Sequence, residues 1–234
     1  MSEKPKAQIT IRKNGSYRVV GELPLVRKSQ VVSEYGEPLT WHKEFTYETD
    51  PEAYYLCRCG NTQNPPFCDS SHRRVGFDGT ETISTRSSFQ RRIEFPDGTH
   101  IIVRKDPTLC MSSGYCGFLN SPIRKMMSDT ENTQTRSLVM AMVERCPSGA
   151  LTYSIPPLES DIEPDLPIQV ADTTEITDEG PIMGPIWVTG NVVIKQSDGN
   201  ILETRNRVTL CNCGRSENKP LCDGTHRNFP RYRK

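Results

Sequence analysis

A chain of 234 residues with 29 Lys+Arg and 29 Asp+Glu has no formal net charge, which argues against a general nucleic-acid binder. Only 34% of residues are hydrophobic, and no uninterrupted apolar stretch is long enough to span a bilayer, so no membrane role is expected. A thin apolar complement in a chain of this length implies two or three small units, which ordinarily need a staple.

In chain order, the opening MSEKPKAQITIRKNG has no apolar run of signal-peptide length. From residue 7 to 28 apolar residues alternate (Ile9, Ile11) and then run through Tyr17, Val19, Val20, Leu23 and Leu25, which predicts two strands joined by a turn at Asn14-Gly15. Residues 29–52 are polar and mixed and read as a loop or insertion. A short strand at Tyr54–Leu56 then leads into Cys57. Residues 89–95 and 100–104 flank Pro96-Asp97-Gly98 as a second hairpin. Leu138, Val139, Met142 and Val143 recur at helical spacing, and that helix must stop before Cys146-Pro147.

Between Arg145 and Lys195 there is no Lys or Arg, while Glu159, Asp161, Glu163, Asp165, Asp172, Glu175, Asp178 and Glu179 all fall there. With six prolines between 155 and 185, this stretch reads as an acidic linker over residues 156–183. Past it, Gly184 to Gly190 echoes Gly15 to Gly21, with glycines six apart around an aromatic or β-branched pattern. A hairpin turning at Asp198-Gly199 and a strand at residues 208–210 lead into Cys211.

The nine cysteines fall as three threes, leaving none over. Cys57, Cys59 and Cys68 with His72, and Cys211, Cys213 and Cys222 with His226, share one spacing, C-x-C-x8-C-x3-H. Cysteines two apart on an extended segment point the same way and reach one metal, and Cys and His four apart share a face of a helical turn. Asp69 and Asp223 lie where a carboxylate accepts from the free N–H groups of that turn. Two facing pairs suit a two-iron cage. Tetrahedral zinc also accepts such a set, although one residue between the first two cysteines fits its tight loops poorly. His42 and His100 belong to neither motif.

Both segments resemble the CDGSH iron–sulfur domain of the mitoNEET (NEET) family, C-x-C-x2-(S/T)-x3-P-x-C-D-G-(S/A/T)-H. The second matches throughout, at Ser216, Pro220, Asp223, Gly224 and Thr225; the first matches at Thr62, Pro66, Asp69 and Ser71 but has Ser70 for the family's Gly. The resemblance implies a [2Fe–2S] cluster at each motif, with Cys57 and Cys59, or Cys211 and Cys213, on one iron and the Cys68–His72 or Cys222–His226 pair on the other. A His in place of a thiolate removes negative charge, raises the potential and adds a titratable ligand. It further implies that the two segments pair within one chain as a monomeric pseudo-dimer.

The third set is Cys110, Cys116 and Cys146-Pro147, in which Ser113 stands at the central position of a C-x2-C-x2-C run. It resembles a divergent single-cluster ferredoxin domain. Three thiolates suit a [3Fe–4S] cluster, while [4Fe–4S] needs a fourth ligand from water, Ser113 or a distant side chain. The expected class is α+β, mainly β: two NEET-type β units (7–88 and 184–234) with short helical turns at the motifs, a ferredoxin-like insert (89–155) and the linker.

No dinucleotide fingerprint, phosphate loop or catalytic triad stands out, so an enzyme is not expected. The residues point to one-electron transfer between redox partner proteins in the cytoplasm, where thiols stay reduced. Cluster storage and delivery to apo-protein acceptors uses the same residues, and a structural zinc scaffold is the third reading.

Overall fold

Alternating apolar residues at the start of the chain form the expected hairpin. In the computed structural model, which describes residues 6–118, 121–158 and 160–232, strand β1 (Gln8–Ile11) lies antiparallel to β2 (Tyr17–Val20). Ile9, Ile11, Tyr17 and Val19 all face inward and are buried. Acidic residue Glu159 lies outside the described residues.

Residues 29–52 are not a loop. Strands β3 (Leu25–Val32) and β4 (Pro38–Thr46) form a long antiparallel hairpin across most of them. β4 is the edge of a five-stranded sheet and faces mostly solvent, so its polar residues, His42 and Lys43 among them, give no alternation to read. Strand β5 (Tyr54–Leu56) pairs with β2 and delivers the chain to Cys57, as expected.

After the first motif, which ends in helical turn α1 (Ser71–Arg74), the predicted strand at residues 89–95 divides. Ser88–Arg91 forms helical turn α2, where Gln90 caps the Ser87 N–H in an S-x-x-Q pattern, and only β6 (Ile93–Glu94) pairs with β7 (Ile102–Lys105). His100 stands in the turn between them. A short pair, β8 (Gly117–Phe118) and β9 (Ser121–Pro122), leads into α3 (Ile123–Met126) and α4 (Thr133–Arg145). As predicted, α4 stops before Cys146; its buried face, Val139, Met142 and Val143, lies towards β10 (Leu151–Ser154), which pairs with β7.

The acidic stretch is likewise not all linker. Residues from 169 onwards build β11 (Gln169–Thr177), which hairpins into β12 (Gly180–Thr189) near the centre of the five-stranded sheet. Its charges are buried with partners: Asp172 accepts from the Tyr47 hydroxyl at 2.8 Å, and Glu175 meets the second motif. A solvated composition and a strand with partnered polar residues look alike in sequence. Pro185, which lacks an N–H, is tolerated because the register slips between Asp172 and Thr174, leaving Gly184 and Pro185 opposite Thr173.

With β13 (Val193–Lys195) and β14 (Arg207–Leu210) the two ends repeat each other strand for strand. Tyr17 pairs with Leu56 before the first motif, and Ile186 pairs with Leu210 before the second. The third strand of each unit is exchanged: β13 runs parallel to β1 with Ile194 beside Ile9, and β3 runs parallel to β11 with Leu25 beside Val170. The repeats therefore interlock within one chain. One buried apolar cluster draws on all segments, including Leu25, Val103, Val143, Val170, Ile194 and Leu210. Among the described residues, no helix is long and apolar enough to cross a membrane.

Candidate metal centres

Each end motif is built as a strand followed by a return. Past β5 the alternation of an extended chain sends Cys57 and Cys59 the same way, with sulfurs 3.7 Å apart; past β14 the Cys211–Cys213 distance is 3.5 Å. Two thiolates about 2.3 Å from one tetrahedral metal lie about 3.8 Å apart, so both pairs are set to share a metal.

The return is pinned by backbone bonds. Cys57 N–H donates to Pro66 O and Cys68 N–H to Tyr55 O, both at 2.9 Å, and Cys211 and Cys222 repeat this with Pro220 and Thr209. Thr62 and Ser216 hydroxyls donate to the carbonyls of Phe67 and Leu221, both at 2.7 Å. Cys68 Sγ and His72 Nδ1 are 3.4 Å apart, as are Cys222 Sγ and His226 Nδ1. These pairs do not share a helical turn, as the spacing suggested, because helical structure begins only at Ser71 and Thr225. A left-handed residue, Ser70 (φ 69°) or Gly224 (φ 90°), turns the His back towards its Cys.

Asp69 and Asp223 hold these turns as expected. Asp69 accepts from the Gln63 and Ser71 N–H groups and Asp223 from those of Glu217 and Thr225, and the first two hold the Asp69 carboxyl well below the usual carboxylate range.

Ser70 carries a cost that Gly224 avoids, since a side chain disfavours the left-handed region by about 1–2 kcal/mol. Ser70→Gly is expected to stabilise the protein by about 1 kcal/mol in urea unfolding. Gly224→Ser is expected to destabilise it more strongly, since a Cβ there would lie 2.8 Å from the Met111 carbonyl oxygen.

Each C-x-C pair holds its thiols unequally. The Cys57 and Cys211 thiols are pulled down to about 6, chiefly by hydrogen bonds from Cys59 and Cys213, with backbone N–H groups adding to this against the cost of burial. Cys59 and Cys213 are pushed up by the same sharing, and Cys222 is pushed up by burial. Thiolates held in this way fit a metal that takes the proton's place.

The two sites differ in their histidines. His72 is half-buried at a groove of about 490 Å³ lined also by Arg12, Lys13 and Arg73. Desolvation, with Arg73 and Arg12, holds its imidazole below the ordinary range against an upward pull from Asp69. His226 is buried, and its Nε2 lies 3.1 Å from Glu175 Oε2. Sequence reasoning missed Glu175 because it placed that residue in the linker; the β-branched run in QVADTTEIT was the available signal for a strand.

The third set lies against the common core. Cys146 caps α4 at its C-terminus, and its carbonyl accepts from Arg207 Nε at 2.8 Å. Cys110 follows a 3-10 turn (Pro107–Leu109) capped by Asp106, which is ion-paired to Arg91. Burial pushes the Cys116 thiol up, Lys105 draws it down, and Cys146 and Cys110 raise it, so the three thiols share one field. Ser113 is buried, with its carbonyl 3.5 Å from Gln30 Nε2. Among the described residues no three His, Cys, Asp or Glu side chains converge on a single ion.

The three sets adjoin. Cys59 and Cys213 form an antiparallel backbone bridge, and Gly224 of the second motif abuts Met111 of the middle one.

Thiolate pairs, facing His–Cys pairs and a third thiol set define an iron–sulfur protein. Residues 14–73 and 183–227 match the family model described as iron-binding zinc finger, CDGSH type, and residues 97–156 match the divergent 4Fe-4S mono-cluster model. The chain thus carries two CDGSH-type segments around a divergent mono-cluster ferredoxin segment. No curated protein gives a significant match to it.

Proposed function

We propose that the chain is a one-electron carrier between partner proteins. Two [2Fe–2S] clusters would be held at Cys57, Cys59, Cys68 and His72 and at Cys211, Cys213, Cys222 and His226, and a [3Fe–4S] or [4Fe–4S] cluster at Cys110, Cys116 and Cys146. The supporting observation is contiguity: the Cys59–Cys213 bridge and the Gly224–Met111 contact join the three cysteine-bearing segments to one another. Bound clusters supply reversible one-electron reduction. The protein's own residues hold the thiolates with backbone N–H donors and keep water from the buried ligands.

The interlocked repeats support a single chain that supplies both halves and acts as a monomer, and nine unpaired cysteines suit a reducing compartment such as the cytoplasm. The test is anaerobic purification with iron and sulfide analysis and EPR before and after dithionite. About seven or eight irons with matching sulfide are expected per chain. A colourless protein rich in zinc and poor in sulfide would establish the scaffold reading instead.

Half-exposed His72 at its open groove favours a second reading, delivery of the first cluster to apo-proteins. Rapid transfer to an apo-ferredoxin would support it, and no transfer over hours would leave the carrier.

A further inference from the structure

His226 has two ring nitrogens with different neighbours. Nδ1 faces Cys222 Sγ at 3.4 Å, the side on which a metal is held, and Nε2 faces Glu175 Oε2 at 3.1 Å. The imidazole is 3% exposed and the carboxylate 0%. Arg227 Nη2 reaches the same carboxylate oxygen at 2.7 Å, while Oε1 is buried without a hydrogen-bond partner among the described residues. Among the described residues no carboxylate is bonded to His72; it shares its groove with Arg12, Lys13, Arg73 and Asp78, and Asp69 also acts on it.

We propose that Glu175 is a positioning residue that holds His226 as a neutral Nδ1 ligand and sets the second CDGSH-type site at a lower reduction potential than the first. The inference rests on the [2Fe–2S] ligation proposed above. An imidazole that ligates through Nδ1 carries its proton on Nε2, and donating that proton to a carboxylate fixes the tautomer and makes the ligand more basic. A more basic ligand and a nearby negative charge both favour the oxidised cluster. The charge acts strongly because Glu175 lies in the protein interior, away from solvent. Arg227 offsets part of it, but its side chain is 31% exposed, so solvent screens its charge more than that of the buried carboxylate. Glu175 and Arg227 thus nearly balance at His226, whereas at His72 the three cations Arg12, Lys13 and Arg73 outnumber Asp69 and Asp78, so the first site is the more positive of the two. Electrons would rest on the first, half-exposed site, with the second acting as the step between it and the middle cluster.

The experiment is an EPR-monitored redox titration of the holo-protein. His72→Cys, which adds a thiolate and lowers only the first midpoint, assigns the two signals. In the parent protein two separate midpoints are expected, the second below the first. Glu175→Gln is expected to raise the second and leave the first in place, and Arg227→Gln is expected to lower the second. A residue that merely packs would not move the potential in opposite directions in these two variants. Coincident midpoints in the parent, or a second midpoint that Glu175→Gln leaves unmoved, overturns the proposal. If Glu175→Gln fails to retain its cluster, Arg227→Gln decides, and the absence of a downward shift there overturns it. Lack of any [2Fe–2S] signal in the parent defeats the ligation itself, a distinct result.

Discussion

Gly214→Ala is expected to destabilise the protein by about 3 kcal/mol and to release iron from both CDGSH-type sites together. Gly214 sits at φ 78°, and a Cβ there would lie 2.7 Å from the Cys59 carbonyl oxygen and 3.0 Å from its carbon. Gly60 mirrors it at φ 76°, with a Cβ 2.5 Å from the Cys213 carbonyl oxygen. The obstacle in each case is backbone, which has no rotamer to turn away. A side chain must therefore accept the left-handed cost of about 1–2 kcal/mol and also push the Cys59–Cys213 bridge apart. Gly36 is the control: it has φ 79° and open space around it, so Gly36→Ala should show the backbone cost alone. Urea unfolding and visible absorbance of the three proteins measure the difference. Equal losses in Gly214→Ala and Gly36→Ala would sink the idea that close approach of the two motifs holds both sites.

The second large effect is expected at Arg207, whose side chain is 1% exposed. Its guanidinium donates to the carbonyls of Cys146 at 2.8 Å, Val143 at 3.2 Å and Leu151 at 3.3 Å, and it is ion-paired to Glu163. Two of those carbonyls belong to the end of α4, where each has one tight-turn backbone donor, Cys146 N–H to Val143 at 3.1 Å and Gly149 N–H to Cys146 at 3.3 Å, and where a positive charge is favoured. Arg207→Met would remove a charge-assisted bond of about 1.5–3 kcal/mol from each interior acceptor, partly offset because Val143 and Cys146 keep the backbone N–H groups of Cys146 and Gly149, and Glu163, being 34% exposed, would recover water cheaply. A loss of about 3–5 kcal/mol is expected. Arg207→Lys should restore little, because an ammonium cannot span the same fork of acceptors. Since Cys146 loses its anchor, the middle set should fail first. Thermal unfolding and iron analysis check this: about three or four irons should go before the rest. Parallel loss from all three sets, or a change below about 1 kcal/mol, would show that Arg207 is not the link between α4 and β14.

How much of this was legible beforehand depended on whether the signal was local. Both C-x-C-x8-C-x3-H motifs, the strand at Tyr54–Leu56 and the stop of α4 at Cys146 are set by residues within a few positions of one another, and the chain follows them. The hairpin at residues 25–46 and strand β11 were misread for the opposite reason. Their polar residues gain partners only from distant segments, as Gln30 does from Ile176 and Ser113, or they sit on an exposed edge that asks for no pattern. Arg207 gave no local sign, because its acceptors lie more than fifty residues away.

The sequence by itself determined the candidate ligand types, their pairing by spacing and the duplication that carries them twice. The chain could not have revealed from order alone that the third strand of each unit crosses to the other, that Gly224 rests on Met111, or that the two histidines occupy different electrostatic settings. Ligand spacing is fixed by covalent distance along the backbone. The surroundings of each ligand are fixed by which remote strand happens to lie behind it, and for His226 that strand brings Glu175.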